Sequence, residues 1–160
     1  MITNQTVLLP IGDQSPAITN ASSPFDSPDA DVILRSSDKV DFRVFKMFIA
    51  FASPIFKDIF ALPQASKGKS VGEDEMKHHL PIIQMTESSR TIENLLKLCY
   101  PTFTSKLPEL NIMEDVIALW EAADKYEIED VMKYARDALV APPLIEQEAV
   151  RIFATALQNR

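Results

Sequence analysis

Glycine is scarce in this sequence, with 3 residues in 160. That disfavours the glycine-rich loops that bring backbone amides up to a phosphate. The punctuation comes from proline instead, with 11 residues, and points to helices joined by Pro-marked turns. Cysteine is nearly missing. Cys99 stands alone, so no intramolecular disulfide can form, and its place in Leu95-Leu96-Lys97-Leu98-Cys99-Tyr100 predicts a small buried core thiol. Positive charge is in deficit: the formal net charge is −7, which repels nucleic-acid phosphates and anionic lipid, and no separate basic region is visible. No apolar stretch approaches membrane-spanning length, and no cationic start precedes an apolar core at the N-terminus. The expectation is a soluble intracellular chain, cytoplasmic or nuclear, in which the sequon matches at Asn4 and Asn20 arise by chance.

A hydrophobic fraction of 46% and a charged fraction of 24% are ordinary for a globular protein, and the length suits one domain with tails. Residues 1–28 are rich in Ser, Thr, Asn, Asp and Pro and predict a flexible N-terminal tail, in which Val7-Leu8-Leu9 has strand character. Order is expected from Asp31. Asp31-Val32-Ile33-Leu34, a turn at Ser36-Ser37-Asp38-Lys39, and the period-two stretch Val40-Asp41-Phe42-Arg43-Val44 predict a hairpin with at least one buried face. Phe45-Lys46-Met47-Phe48-Ile49-Ala50-Phe51-Ala52 predicts a helix that ends at Ser53, since the residue before Pro54 is pushed out of the α region. Ser53-Pro54 then caps a second helix.

Residues 63–79 show no apolar period and predict a mobile loop. Leu80-Pro81-Ile82-Ile83-Gln84-Met85 predicts a third strand, with Pro81 confined to its start or to an edge. Helical stripes follow at Ile92, Leu95, Leu96 and Cys99, and at Val116, Leu119, Trp120, Ala123 and Tyr126 behind a cap at Asn111. Two more stripes run through Val131, Ala135, Ala138 and Leu139, and, after the break at Pro142-Pro143, through Ile145, Ala149, Ile152, Phe153 and Ala156. This order of elements is α+β and not a repeating βαβ pattern.

Enzymatic chemistry finds little support. His78 and His79 are adjacent, with no Cys or acidic group at metal-ligand spacing, and read as loop residues. One cysteine and two distant histidines name no nucleophile–base pair, and no phosphate-loop or nucleophile-elbow motif occurs. Glu127, Glu129, Asp130 and Asp137 read as decoration of solvated helix faces, and Trp120 as core. No cofactor and no metal are expected.

Several stretches, in order, resemble the BTB/POZ family, and most closely the forms expanded in mushroom-type fungi. They are Pro24-Phe25, Ala30-Asp31-Val32-Ile33-Leu34-Arg35-Ser36-Ser37-Asp38, Phe42-Arg43-Val44-Phe45-Lys46 and Ala52-Ser53-Pro54-Ile55-Phe56-Lys57-Asp58-Ile59-Phe60, then Glu114-Asp115-Val116, Ala122-Ala123-Asp124-Lys125-Tyr126, Arg136-Asp137-Ala138-Leu139-Val140 and Glu148-Ala149-Val150-Arg151-Ile152-Phe153-Ala154. The resemblance implies a small three-stranded sheet capped by five or more helices. It divides the chain into a tail at 1–28, a BTB/POZ domain at 29–141 and the start of a helical extension at 142–160. It also implies homodimerisation through the first helix and a non-enzymatic role. A buried pair of Asp31 and Lys46 at the dimer interface comes with it, while Phe45 stands where relatives usually carry His.

The helix at 45–52 points to a partner on physical grounds as well. Its only charged residue is Lys46; Phe45, Phe48, Ile49 and Ala52 share one face, and Met47 and Phe51 point elsewhere. Leaving large apolar side chains exposed forfeits about 1.5–3 kcal/mol each and makes the kind of patch that marks a partner site. Two readings stay open, a dimer surface or a central helix covered by the chain's own later helices. The candidate interface set is Asp31, Phe45, Lys46, Phe48, Ile49, Phe51 and Ala52. Val71-Gly72-Glu73 matches the apolar-x-Glu form of cullin-recruiting adaptors, so Val71 and Glu73 form a candidate cullin-contact loop. The function expected is a homodimeric interaction module, either a cullin-type ubiquitin-ligase adaptor or a scaffold or transcription-linked dimer with no ligase role. Neither nucleic acid nor membrane is an expected partner.

Overall fold

The β-branched run after Asp31 forms the middle of the molecule. A computed structural model describes residues 17–62, 76, 77, 79–101, 106–142, 144–146 and 149. In it β2 (Val32–Arg35) is buried along its whole length and pairs antiparallel with β3 (Val40–Val44), with Val32 opposite Val44 and Leu34 opposite Phe42. The turn between them closes on Ser36, whose Oγ accepts from the Val40 amide at 2.8 Å. Lys39 takes the left-handed conformation there, with φ 67°.

β5 (Leu80–Gln84) lies parallel to β2 on its other side, starting with Ile33 opposite Ile82. Pairing with β2 thus begins one residue after Pro81, which has no amide to give the ladder. The three expected strands are present, and two strands of two residues extend them. β1 (Thr19–Asn20) runs parallel to β3, and β4 (Met76–Lys77) runs antiparallel to β5, giving the order β1-β3-β2-β5-β4. Among the described residues the three-stranded expectation is therefore a five-stranded sheet, because both flanking segments reach open strand edges.

Residues 17–28 correct the reading of a loose tail. The Ala21 amide donates to the Asp41 carbonyl, and the Phe25 ring, 2% exposed, meets Tyr100 edge-on at 5.3 Å and Phe42 at 6.0 Å. Burying one aromatic ring outweighs the polar composition around it. β4 likewise lies in a stretch that reads as loop. There Lys77 reaches Asp41 Oδ2 at 2.7 Å and Asn20 Oδ1 at 2.9 Å, tying both edge strands to the centre. The other cation on Asp41 is Arg35, whose Nε and Nη2 donate at 2.6 and 3.0 Å. Burial alone would push the Asp41 carboxyl up, but the hydrogen bonds and charges of Arg35 and Lys77 prevail and hold it below its ordinary value.

The helices cap the sheet: α1 (Lys46–Ala52), α2 (Pro54–Ala61), α3 (Ser89–Cys99), α4 (Met113–Lys125) and α5 (Glu129–Leu139). Ile92, Leu95 and Leu96 of α3, Val116, Leu119 and Ala123 of α4, and Val131 and Ala135 of α5 are buried, as their periodicity predicts. Cys99 is half-buried, and burial pushes its thiol up to about 12. Two expectations for α4 change. Its cap position is Ile112 with no side-chain cap, not Asn111. Trp120 is not core; it stands 39% exposed beside the exposed Ile117, on the edge of a stripe already filled by Val116, Leu119 and Ala123. After α5, Leu144 is buried while Ile145 of the predicted stripe is exposed; the rest of that stripe beyond Ala149 lies outside the described residues.

Ser53 joins α1 to α2 and performs two tasks. Its Oγ accepts from the Phe56 amide at 3.1 Å as the cap of α2 and donates to the Tyr126 carbonyl at 2.5 Å at the end of α4. Ser53→Ala removes both. A lost cap costs about 1 kcal/mol and a buried carbonyl left without its donor about as much again. The expected loss is about 2 kcal/mol, read as a lower denaturation midpoint with an unchanged denaturant slope.

Candidate interaction surface

α1 has only seven residues, and its orientation is set from elsewhere in the chain. The first amides of a helix have no partner inside it. Here the Phe45 amide donates to Tyr100 Oη at 2.8 Å, and the Lys46 amide to Asp31 Oδ1 at 2.7 Å. The Asp31 carboxylate also sits where the helix dipole favours negative charge. Burial pushes the Tyr100 hydroxyl up to about 12, so it stays a neutral hydrogen-bonding group throughout the physiological range.

This anchoring decides which side of an almost uniformly apolar helix faces in. Ile49 is 0% exposed and packs in the core, so of the candidate interface residues it is the one whose side chain does not reach the surface. Phe45, Phe48 and Ala52 are half-buried, with the Phe48 ring 4.9 Å from Tyr100 and 6.0 Å from Phe45. The outward side holds Met47, 69% exposed, and Phe51, 95% exposed. Four residues apart, they are neighbours on one helix face. Met47 is missing from the sequence-derived set because nothing in the local pattern tells one apolar face from the other.

Asp31 and Lys46 do meet, but through the Lys46 backbone amide and not as a buried ion pair. Asp31 is exposed, and the Lys46 ammonium lies 5.7 Å from the centre of the Phe60 ring. A long lysine gains from an aromatic face without giving up its water, whereas burying both charges would cost desolvation on each. Val71 and Glu73, the candidate cullin-contact residues, lie outside the described residues, as does His78. His79 is exposed in a turn with φ 66°.

A second feature borders this face and has no signal in the sequence. The α1–α2 junction, the end of α3 and the α4–α5 turn enclose a groove of about 670 Å³. Phe51, Leu98, Cys99 and Met132 form apolar walls, and the exposed Asp124, Glu127, Glu129 and Asp130 stand along it. Its parts come from three separate chain segments. Among the described residues no group of His, Cys, Asp or Glu is arranged to hold a metal ion, and no helix is long and apolar enough to cross a membrane.

The BTB domain of zebrafish PATZ1 is similar in structure, with 20% sequence identity and a TM-score of 0.48 over 69% of this chain and 75% of that one. No curated protein sequence matches the chain. The family model of the BTB/POZ domain, a protein–protein interaction module, matches residues 25–142, which takes in the buried Phe25, the sheet core and helices α1 to α5. The chain belongs to the BTB/POZ domain family.

Proposed function

We propose that this chain is a self-associating interaction module whose contact surface is the outward face of α1. The supporting observation is that Phe51 and Met47 stand 95% and 69% exposed on a helix whose opposite side is core. Water contact at these two side chains forfeits about 1.5–3 kcal/mol each relative to burial. A second copy supplies that burial with twofold symmetry, each Phe51 meeting the same patch on its partner. Phe45, Phe48 and Ala52 contribute their half-exposed edges, while Asp31 and Lys46 form the polar margin. Ile49 supports the surface from beneath.

Light scattering on a sizing column tests this at about 50 µM, well above a micromolar dissociation constant. The wild-type chain should elute as a dimer. The double variant Met47→Asp, Phe51→Asp should elute as a monomer with an unchanged thermal midpoint extrapolated to low concentration, because neither side chain contributes to the core. A wild-type monomer at that concentration sinks the reading; so does a variant that still dimerises.

Two finer roles, cullin-ligase adaptor and ligase-free scaffold or transcription-linked dimer, divide on one contact. Retention of a cullin N-terminal domain by the wild type and its loss on Glu73→Ala support the adaptor; no retention by either supports the scaffold.

A further inference from the structure

A surface helix normally turns a polar side to water, and α4 departs from this. Its core side is filled by Val116, Leu119 and Ala123, yet Ile117 stands 44% and Trp120 39% exposed. Three residues apart, the two are neighbours on the outward side, and the half-buried Met113 lies one turn before Ile117. The exposed carboxylates Glu114 and Glu121 border this strip.

A second apolar surface comes from the sequence beyond α5. Ile145, Ala149, Ile152, Phe153 and Ala156 recur at helical spacing, and the first two, which are among the described residues, are exposed. The path of the chain brings this stripe towards α4. The short turn at residues 126–128 packs α4 and α5 antiparallel. Tyr134 Oη then donates to the Pro108 carbonyl at 2.8 Å and holds the later half of α5 against the approach to α4. Leu144, 1% exposed, keeps the chain in the core just past α5. The chain thus leaves α5 beside the N-terminal end of α4. As a helix, residues 150–160 would reach about 16 Å, against about 20 Å for the 13 residues of α4.

We propose that residues 150–160 dock along the outward strip of α4, so that Ile152 and Phe153 cover Ile117 and Trp120. Charge selects this face over the outward face of α1. No acidic side chain follows Glu148, and Arg151 and Arg160 are the charged side chains of the segment. They complement Glu114 and Glu121, whereas α1 itself carries only Lys46, of like sign. A second copy of the α4 strip is a poorer cover, because it brings the same carboxylates. The inference goes beyond the self-association reading and does not use its surface. With the α4 strip closed by its own chain, the outward face of α1 is left as the apolar face open to a partner.

Trp120 is the chain's only tryptophan, so its fluorescence reports on this strip alone. In the full chain, Ile152→Asp with Phe153→Asp should red-shift the emission and raise acrylamide quenching severalfold, while far-ultraviolet circular dichroism still shows a folded domain. The milder pair Ile152→Ala, Phe153→Ala should move both readouts the same way, and it carries the test if the aspartates unfold the chain. Unchanged emission and quenching overturn the proposal. Shielding of wild-type Trp120 that grows with protein concentration shows a second copy on the strip, and equally overturns it. The variant Met47→Asp, Phe51→Asp keeps the two readings apart, since it should leave Trp120 as shielded as in the wild type whether or not the chain self-associates.

Discussion

Replacing Asp41 by alanine is expected to destabilise the fold by about 3–5 kcal/mol, the cost of removing one member of a buried charge pair. Asp41 is 1% exposed, Arg35 is 4% exposed, and Lys77 approaches the same carboxylate from the sheet edge. The intact network is no evidence of large net stability, because desolvation of its members offsets much of their attraction. The asymmetry matters: Asp41→Ala keeps the desolvation of Arg35 and deletes a carboxylate that helps to offset it. Against a total stability of about 5–15 kcal/mol for a domain, such a loss is a large fraction. Urea denaturation read by far-ultraviolet circular dichroism measures it, and a change below about 1 kcal/mol would show the network to be energetically idle. The same carboxyl imposes a pH dependence. Its folded-state pKa lies below the unfolded one, so its contribution is complete above the unfolded value of about 4 and fades as pH falls through the folded value. Glu87 acts in the same direction: burial raises its pKa, but the hydrogen bonds from Lys125 and Tyr126 prevail and lower it. Asp41→Asn should therefore lose stability less steeply than wild type below about pH 4.

Phe56→Ala should be comparably severe for a different reason. The ring is 0% exposed and stacks on Tyr126 at 4.5 Å and on Phe60 at 5.8 Å, where α2 meets the end of α4. Removing a buried phenylalanine leaves a cavity and costs about 3–5 kcal/mol, or about 10–20 °C in the midpoint for a domain of this size. Phe51→Ala makes the contrast informative. That ring is 95% exposed, so its removal should leave monomer stability nearly unchanged and alter self-association instead. Calorimetry at low concentration separates the two; similar midpoints for both variants would contradict the assigned sidedness of α1 and α2.

The sequence made the hairpin, α2 through α5 and most of the core legible because each carries a strong local period. Val40 to Val44 alternates at two, Ile92, Leu95 and Leu96 recur at helical spacing, and Ser53-Pro54 marks its own helix start. What escaped depends on partners far along the chain. The ordering of residues 17–28 hinges on one ring, Phe25, meeting Phe42 and Tyr100. The role of Lys77 exists only through Asp41, 36 residues earlier. Trp120 fits the spacing of a buried stripe, yet the space beneath α4 is already filled by smaller neighbours. In α1 the helical wheel had two apolar faces and no means of ranking them; side chains outside the helix made the choice. The groove has no local signature at all, since its walls and carboxylates come from residues 51, 98–99 and 124–132.

The two hydrogen bonds that begin α1 also set a schedule for protein synthesis. Seven residues are too few for an isolated helix in water, so α1 takes shape only as its surroundings do. One of its end groups is held by Asp31, 15 residues away, but the other waits for Tyr100, 55 residues further on. While a ribosome is still making α3, Met47 and Phe51 belong to an unshaped strip of chain rather than to an oriented face. The outward face of α1 is thus a late product of translation, oriented only once Tyr100 has been made, although its own residues come early in the domain.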